Sequence, residues 1–196
     1  MKRKRLFLKS KTNRKERIEI IRWAAGNGYD AVVFSLNENI KSEYIKLANH
    51  YGLKIEAGGS ELSLLVPRKL FVFHRGLFRM EQGKRKKDHH FCPTNHRSTA
   101  CIAEHAQKLF ARSMQIVSIP RVFHLLPDEG FEDVWCSCPA CRAFSPAEQN
   151  IIAVNSAADI LAKLDPDARL SFLDFGNEPP EKAGVAPRNN MFGFKS

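Results

Sequence analysis

The stretch AVVFSL at residues 31–36 is an almost continuous apolar run bounded by turn residues. A strand that is covered on both faces of a sheet has this pattern, because neither of its sides meets water. Such strands occur in parallel sheets whose faces are packed with helices. Residues 31–36 therefore predict a buried strand and an α/β fold.

Helices and further strands alternate along the chain on both sides of this run. Asn13 with Glu16, and Ser145 with Glu148, each form the capping-box pattern that opens a helix. The predicted strands are residues 5–9, 31–36, 53–57, 121–126 and 169–175, and further helices are predicted over 42–51 and 98–113. This alternation implies parallel strands joined by right-handed crossovers.

The length of the chain limits how much of a barrel it can form. A (β/α)8 barrel takes around 250 residues, whereas this chain has 196. We therefore predict a partial TIM-type barrel of about five βα units, with a small open parallel α/β sheet as the alternative. The predicted α/β domain covers residues 5–177, and a tail at 178–196, which contains Pro and Gly, is expected to begin a missing portion of the barrel. Oligomerisation is expected if the barrel is incomplete.

The positive charge is concentrated near the N-terminus. The formal net charge is +10, and the basic segment at residues 1–17, which includes the first strand, holds nine Lys and Arg against one acid. A second basic cluster lies at residues 84–87. Clustered basic side chains bind polyanions through counterion release. However, no recognition helix or aromatic-interleaved basic strand accompanies them, so a nucleic-acid partner is not expected.

No stretch of the sequence predicts a membrane or an export signal. The apolar runs are far shorter than the roughly 20 residues that span a bilayer. The apolar stretch at residues 6–8 is too short for the core of a signal peptide. A cytoplasmic protein without a membrane partner is therefore expected.

Acidic residues follow the predicted strand at 121–126. In parallel α/β folds the working side chains lie at the carboxyl ends of strands, and Asp128 and Glu129 occupy that place. Because adjacent carboxylates repel, one of them can keep its proton near neutral pH and act as a general acid. The alternative is a solvent-exposed acidic turn before Gly130. The predicted substrate-binding residues are His124, Glu38, His74 and Asp174.

The cysteines suggest reduced thiols. Their number, five, is odd, which makes a disulfide framework improbable. Cys136, Cys138 and Cys141 form a C-x-C-x-x-C stretch that would need a fourth ligand to hold zinc. If the long irregular segment at residues 60–95 folds back, the candidates for that ligand are Cys92, His89, His90 and His124. The alternative is a buried thiol cluster that shapes the loop; a structural zinc aside, no cofactor is expected to be required.

Several of these motifs occur together in the same order as in a known family. The Phe-His-x-x-Leu-Phe segment at 73–78, Gly-Lys-Arg at 83–85, Phe-Cys-Pro-Thr-Asn at 91–95, Asp128 and the cysteines resemble an uncharacterised bacterial family of glycoside-hydrolase-like barrels, a domain of unknown function. The resemblance extends from about residue 5 to about residue 177. It implies a TIM-type barrel with a carbohydrate-related role.

A looser similarity is to β-N-acetylhexosaminidases, whose fourth strand ends in H-x-G-G-D-E. His124, Asp128 and Glu129 occupy the matching places, whereas Leu126 and Pro127 replace the two glycines. The similarity implies that Asp128 orients the acetamido group of the substrate and that Glu129 protonates the leaving oxygen. This substrate-assisted route differs from the usual scheme of two carboxylates.

The leading hypothesis from the sequence is a glycoside-hydrolase-like domain that binds a carbohydrate and uses its acidic pair to hydrolyse a glycosidic bond. The first alternative is a non-enzymatic, zinc-stabilised module that binds nucleic acid. The second is an inactive, truncated barrel.

Overall fold

The structure is a computed structural model that describes residues 3–9, 11–115, 121–176 and 185–195. Six parallel strands form a sheet that curls into a half-barrel, and their order in the sheet follows their order in the chain. The predicted partial TIM-type barrel is thereby confirmed. The strands of the sheet are β1 (Arg5–Phe7), β2 (Ala31–Phe34), β3 (Lys54–Gly59), β6 (Val122–Leu125), β7 (Arg169–Leu173) and β8 (Met191–Phe194), and β4 (Met80–Glu81) pairs with β5 (Lys84–Arg85) in a separate antiparallel hairpin.

In the described part of the chain, four α-helices cover the outer face of the sheet. They are α1 (Arg14–Gly26), α2 (Ser42–His50), α3 (His96–Met114) and α4 (Pro146–Leu164). Both predicted capping boxes are present: Asn13 and Glu16 exchange hydrogen bonds of 3.0 Å, and Ser145 and Glu148 do the same at 3.3 and 2.7 Å. Caps of this kind stabilise a helix by about 1 kcal/mol each.

The apolar core lies between the helices and the sheet. All four residues of β2 are fully buried, as the apolar run at 31–36 predicts. On β6, Phe123 and Leu125 pack into the core beside α3, whereas His124 between them points to the inner face because side chains alternate along a strand. The rings of Phe7 and Phe194 cover His124 on that inner face, with centroids 5.3 and 5.9 Å from it. The curled sheet is therefore filled on its inside as well as packed on its outside.

A sixth strand lies in the segment that the sequence assigned to the tail. The strand β8 pairs in parallel with β7, with Leu170 opposite Met191. The strand has only four residues and follows a segment that contains Pro and Gly. The sequence therefore shows no alternation of apolar residues long enough to predict it. Gly193 in this strand lies against Asp174, where an added Cβ would come within 3.0 Å of the Asp174 Cβ. Residues 178–184 and 196 of the predicted tail lie outside the described residues.

The long segment at residues 60–95, which we call the excursion, is a folded part of the domain. It contains three short 3-10 helices and the β4–β5 hairpin, and it returns through a bridge between Phe78 and Phe91. Both phenylalanines are fully buried in the main core. The excursion is thus anchored at its return, directly before the N-terminus of α3.

Much of the basic N-terminal segment pairs with acids of the domain. Arg5 Nε lies 2.5 Å from Glu56, Arg17 forms an ion pair with Glu38, and Arg14 contacts Glu43 at 2.7 Å. These charges are partly neutralised within the fold, which reduces the polyanion-binding potential that their number suggests. Among the described residues, no helix has the length and apolarity needed to cross a membrane.

The contact between β3 and β6 gives a test of the fold. Gly58 has a φ of +124°, and a side chain there would meet the backbone of His124 on β6. We expect Gly58→Ala to lower the free energy of unfolding by more than about 3 kcal/mol, since backbone strain and overpacking add. The measurement is urea unfolding followed by circular dichroism.

Gly52→Ala is the matched control. Gly52 also has a positive φ, +71°, but nothing lies within 4 Å of an added Cβ. We expect this variant to lose only about 1 kcal/mol. Equal losses in the two variants would contradict the close approach of β3 and β6.

Candidate functional site

Polar side chains gather at the carboxyl edge of the sheet, where the strands end. Glu38 follows β2, Glu61 follows β3, Asp128 and Glu129 follow β6, and Asp174 follows β7. The carboxyl ends of parallel strands meet at one edge, so these acids belong to the same side of the half-barrel. The excursion folds over this edge and supplies further side chains.

Asp128 faces a histidine of the excursion. His89 Nδ1 lies 3.7 Å from Asp128 Oδ2, and the His89 ring stacks on Phe131 with centroids 3.4 Å apart. The Phe131 backbone N–H donates to the Asp128 carbonyl at 3.0 Å, which closes a tight turn beneath the stacked rings. His89 has a φ of +36°, a left-handed conformation that a non-glycine residue rarely adopts. Such strain persists only where the surrounding contacts hold it, and it is common in binding sites.

Arg68 is a cation of this site that the sequence did not single out. Its two terminal nitrogens are buried and have no hydrogen-bond partner among the described residues. Burial lowers the pKa of the Arg68 guanidinium, and the nearby carboxylates of Asp128 and Asp88 partly offset this effect. An arginine whose donors are buried and unsatisfied can bind an oxygen-rich ligand, because unpaired buried donors are costly. No motif around Arg68 signals this role, since it depends on the fold of the excursion.

His90 lies behind His89 and is held in one protonation state. Burial lowers its pKa to about 4, although the charge of Asp128 acts in the opposite direction. The ring is therefore neutral at pH 7, and Nε2 must donate to the Phe131 carbonyl, 3.0 Å away, because a carbonyl only accepts. His90 Nδ1 is then a buried acceptor without a partner among the described residues. His90 is packed against Trp135 and is not part of the cysteine cluster.

Glu129 is exposed and makes no hydrogen bond or ion pair with any other described residue. Its carboxylate is therefore available to a ligand. Asp128 beside it keeps a side-chain exposure of 23%. The roles implied by the resemblance, with Asp128 orienting the substrate and Glu129 protonating the leaving oxygen, stay a prediction.

His124 lies within the sheet and is fully buried. Its Nε2 is 2.7 Å from Glu56 Oε2, and its Nδ1 is 2.7 Å from Ser171 Oγ. Glu56 also accepts a hydrogen bond of 2.5 Å from Arg5. Because the carboxylate accepts, Nε2 carries the proton and the Ser171 hydroxyl donates to Nδ1. His124 thus holds β3, β6 and β7 together below the edge, and its predicted substrate contact stays a prediction.

Among the described residues, no hydrogen bond or ion pair joins the other predicted binding residues to Asp128. Glu38 pairs with Arg17, and Asp174 accepts from the Gly176 backbone at 2.9 Å and lies 3.5 Å from Lys195 Nζ. His74 is exposed in the excursion, and no hydrogen bond or ion pair among the described residues joins it to Asp128. The structure thus groups Asp128 with His89, His90 and Arg68, not with His74.

Glu61 joins the ends of two strands. Its carboxylate accepts from the Ser35 hydroxyl and, at 2.8 Å, from the Leu36 backbone N–H. Burial raises the pKa of Glu61, and these hydrogen bonds act against the rise. The role of Glu61 is to fix the loop after β2 against β3.

Cys92 completes the predicted cysteine group. The sulfur atoms of Cys92, Cys136, Cys138 and Cys141 all lie within 4.8 Å of one another, and all four residues are buried. None of the four forms a disulfide. Of the four candidates for the additional ligand, the structure thus places Cys92 in the group. Four cysteines at this spacing could hold a metal ion.

Comparison with known structures identifies the fold. The GH20 catalytic modules of a pneumococcal exo-β-D-N-acetylglucosaminidase give a TM-score of 0.66 at 12% identity, over 97% of this chain and 58% of that one. A β-galactosidase from Marinomonas ef1 gives 0.59 at 10% identity, over 89% of this chain and 38% of that one. A GH36 α-galactosidase from Geobacillus stearothermophilus gives 0.51 at 11% identity, over 88% of this chain and 28% of that one.

At these identities the similarity shows the fold alone: the chain shares a partial-barrel fold with these three proteins. It spans between 28% and 58% of the length of these three neighbours. No protein-family model and no curated protein matches the sequence.

The buried pair Glu56 and His124 predicts how stability depends on pH. Burial raises the pKa of Glu56, but hydrogen bonds from His124 and Arg5 outweigh it and leave the pKa below the usual 4.5. Ionised Glu56 therefore stabilises the fold fully above about pH 4.5, and this stabilisation is lost as the pH falls through the lowered pKa. We expect Glu56→Gln to cost about 3 kcal/mol at pH 7, because it breaks a buried ion pair.

The measurement is urea unfolding of wild type and Glu56→Gln at a series of pH values. The difference in stability should shrink below about pH 4.5, as Glu56 of the wild type becomes protonated. A difference that stays constant down to acid pH would show that Glu56 is not the group that titrates.

Proposed function

We propose that this chain is a glycoside-hydrolase-like domain that binds a carbohydrate at the carboxyl edge of the half-barrel, with Asp128 and Glu129 acting on a glycosidic bond. The observation that carries the proposal is the position of this acidic pair. It follows β6 at the edge where such folds bind substrates, under a wall formed by the excursion. The three structural neighbours described above are named as glycosidases, which supports the same class of ligand.

The surroundings of the pair have the composition of a sugar site. Binding pockets combine aromatic surface with a few convergent polar groups. Phe131 is 39% exposed and stacked on His89, which offers a flat apolar surface. Arg68 adds unsatisfied donors, and Asp128 adds acceptors. A hydroxyl-rich ring can satisfy both kinds of group at once.

The substrate-assisted route suits this arrangement. By resemblance to the hexosaminidases, Asp128 would orient the acetamido group, and the exposed Glu129 would protonate the leaving oxygen. Leu126 replaces the first glycine of that motif. Its backbone N–H donates a hydrogen bond to the Gly59 carbonyl at 2.9 Å, and its carbonyl accepts one from the Leu62 N–H at 3.1 Å. These bonds hold the loop that carries Asp128 against β3 and the excursion.

The resemblance to the uncharacterised bacterial family of glycoside-hydrolase-like barrels agrees with this proposal. The shared motifs include Asp128 and the segment at 91–95, which brings Cys92 to the other cysteines. The same site would be used if the domain binds a sugar without hydrolysing it.

Hydrolysis is tested with an aryl N-acetylhexosaminide. We expect Glu129→Gln to lower kcat about 100- to 10,000-fold, the usual contribution of a general acid, with an unchanged circular dichroism spectrum. Asp133→Asn, an exposed acid of the same loop, is the matched control and should keep the wild-type rate. Wild-type activity in Glu129→Gln would rule out Glu129 as the acid.

Binding is tested separately by calorimetry with N-acetylglucosamine oligosaccharides. We expect Arg68→Gln to weaken binding about 10- to 100-fold, because a hydrogen bond from a charged group contributes about 1.5 to 3 kcal/mol. Arg75→Gln, which changes an exposed arginine of the same excursion, should leave the affinity unchanged. Absence of binding in the wild type would favour the inactive, truncated barrel.

A further inference from the structure

We propose that Cys92, Cys136, Cys138 and Cys141, here called the four-cysteine cluster, form a structural zinc site. All four side chains are buried and unoxidised, and their sulfur atoms lie within 4.8 Å of one another. The proposal concerns metal binding and does not depend on the carbohydrate function. Its tests measure metal and stability, so its failure would leave that function untouched.

Two of the distances between the sulfur atoms match those of a tetrahedral site, and all of them lie within 4.8 Å. With Zn–S bonds of about 2.3 Å, the sulfur atoms of a tetrahedral site are about 3.8 Å apart. Cys92 Sγ lies 3.7 Å from Cys138 Sγ and 3.6 Å from Cys141 Sγ. A disulfide would bring two sulfurs to about 2.05 Å. The cluster is therefore spaced for a shared central ion and not for a covalent bridge.

The groups around the cluster are suited to thiolates. The Met80 backbone N–H points at Cys136 Sγ from 3.2 Å, and the Thr94 hydroxyl lies 3.1 Å from Cys141 Sγ. Arg85 Nη1 lies 3.8 Å from Cys136 Sγ and is fixed by a bond of 2.6 Å to the Phe78 carbonyl. Four thiolates with one Zn²⁺ carry a net charge of −2, which these donors and the guanidinium offset. Such outer contacts commonly orient metal ligands.

The ligands are also held in place by α4. The Gln149 side chain accepts from the Cys136 N–H at 3.1 Å and donates to the carbonyls of Cys136 and Cys141 at 3.2 and 3.3 Å. Gln149 is buried on the helix that packs against the sheet. The C-x-C-x-x-C loop is therefore preorganised by the core and not by the metal alone.

The chemistry of the donors favours a soft transition-metal ion over the hard ions. Soft thiolates in a tetrahedral S4 set favour zinc or iron over magnesium and calcium, which take oxygen ligands. All four positions are filled by protein, which is the pattern of a structural zinc site and not of a catalytic one. A cavity of about 360 Å³ is lined by Cys92, Cys138, Arg85 and Arg97 among others, and it offers a path for the ion.

The consequence of the site is a link between two distant parts of the chain. Cys92 lies near the end of the excursion, whereas the other three ligands lie in the loop after β6. Cys92 is three residues from His89, which contacts Asp128. A zinc ion would thus hold the part of the excursion around His89 against the loop after β6, which carries Asp128 and Glu129.

Metal content is the first test. We expect the purified full-length chain to contain one zinc per chain by mass spectrometry of the metals, and Cys92→Ser to fall to background. Cys101→Ser is the matched control, because Cys101 lies on α3 outside the cluster and contacts His105 instead. It should keep one zinc. A folded wild-type chain without bound zinc, or with iron in its place, would overturn the assignment.

Cobalt substitution covers the case in which Cys92→Ser fails to fold. Added to the metal-free wild-type chain, Co²⁺ should give the thiolate charge-transfer and visible bands of a tetrahedral S4 site, and zinc should displace it. Removal of zinc with a chelator should lower Tm and speed hydrogen exchange at residues 80–92, but not in α1. A wild-type chain that takes up no cobalt, or whose exchange at 80–92 is unchanged without metal, would contradict the link between the excursion and the loop after β6.

Discussion

A chain of buried polar contacts crosses the inside of the sheet, from Arg5 through Glu56 and His124 to Ser171. It joins β1, β3, β6 and β7 across the inner face of the half-barrel. The curvature of the sheet therefore depends on the hydrogen bonds that Glu56 accepts from Arg5 and His124. A buried carboxylate is tolerated only if it is paired, and here both Arg5 and His124 supply hydrogen bonds. If any of these strands shifted by one residue, the side chain that it contributes to these contacts would move to the opposite face of the sheet. These contacts therefore specify the register of the four strands.

The candidate functional site at the carboxyl edge depends on the register of these strands. Asp128 follows His124 by four residues, so the position of His124 inside the sheet decides how far Asp128 stands above the edge. The excursion then closes over this point, and the stacked rings of His89 and Phe131 meet the acid. Rigid strands position the acids, and a folded loop supplies the aromatic and cationic partners. This division is common in α/β folds, where scaffold and function are separated.

Local features of the structure could be predicted from the sequence, and distant ones could not. The buried strand at 31–36 and the helix caps at Asn13 and Ser145 depend on neighbours in the chain, and they were predicted correctly. The strand β8 was missed, because its pairing with β7 comes from tertiary packing rather than from its own short pattern. The role of Arg68 and the choice of Cys92 depend on how the excursion folds. Spacing alone left four candidates for that ligand.

The order of the strands along the sheet has a consequence for biosynthesis. Each strand of the half-barrel pairs with the strand of the sheet that was made before it. No later strand is inserted between two strands that are already paired. This order lets each strand join the sheet soon after it has been made, which suits folding from the N-terminus during synthesis. The four cysteines are the exception, since Cys92 must wait until α3 and β6 have been made. The thiols of this chain therefore meet late, after most of the sheet is in place.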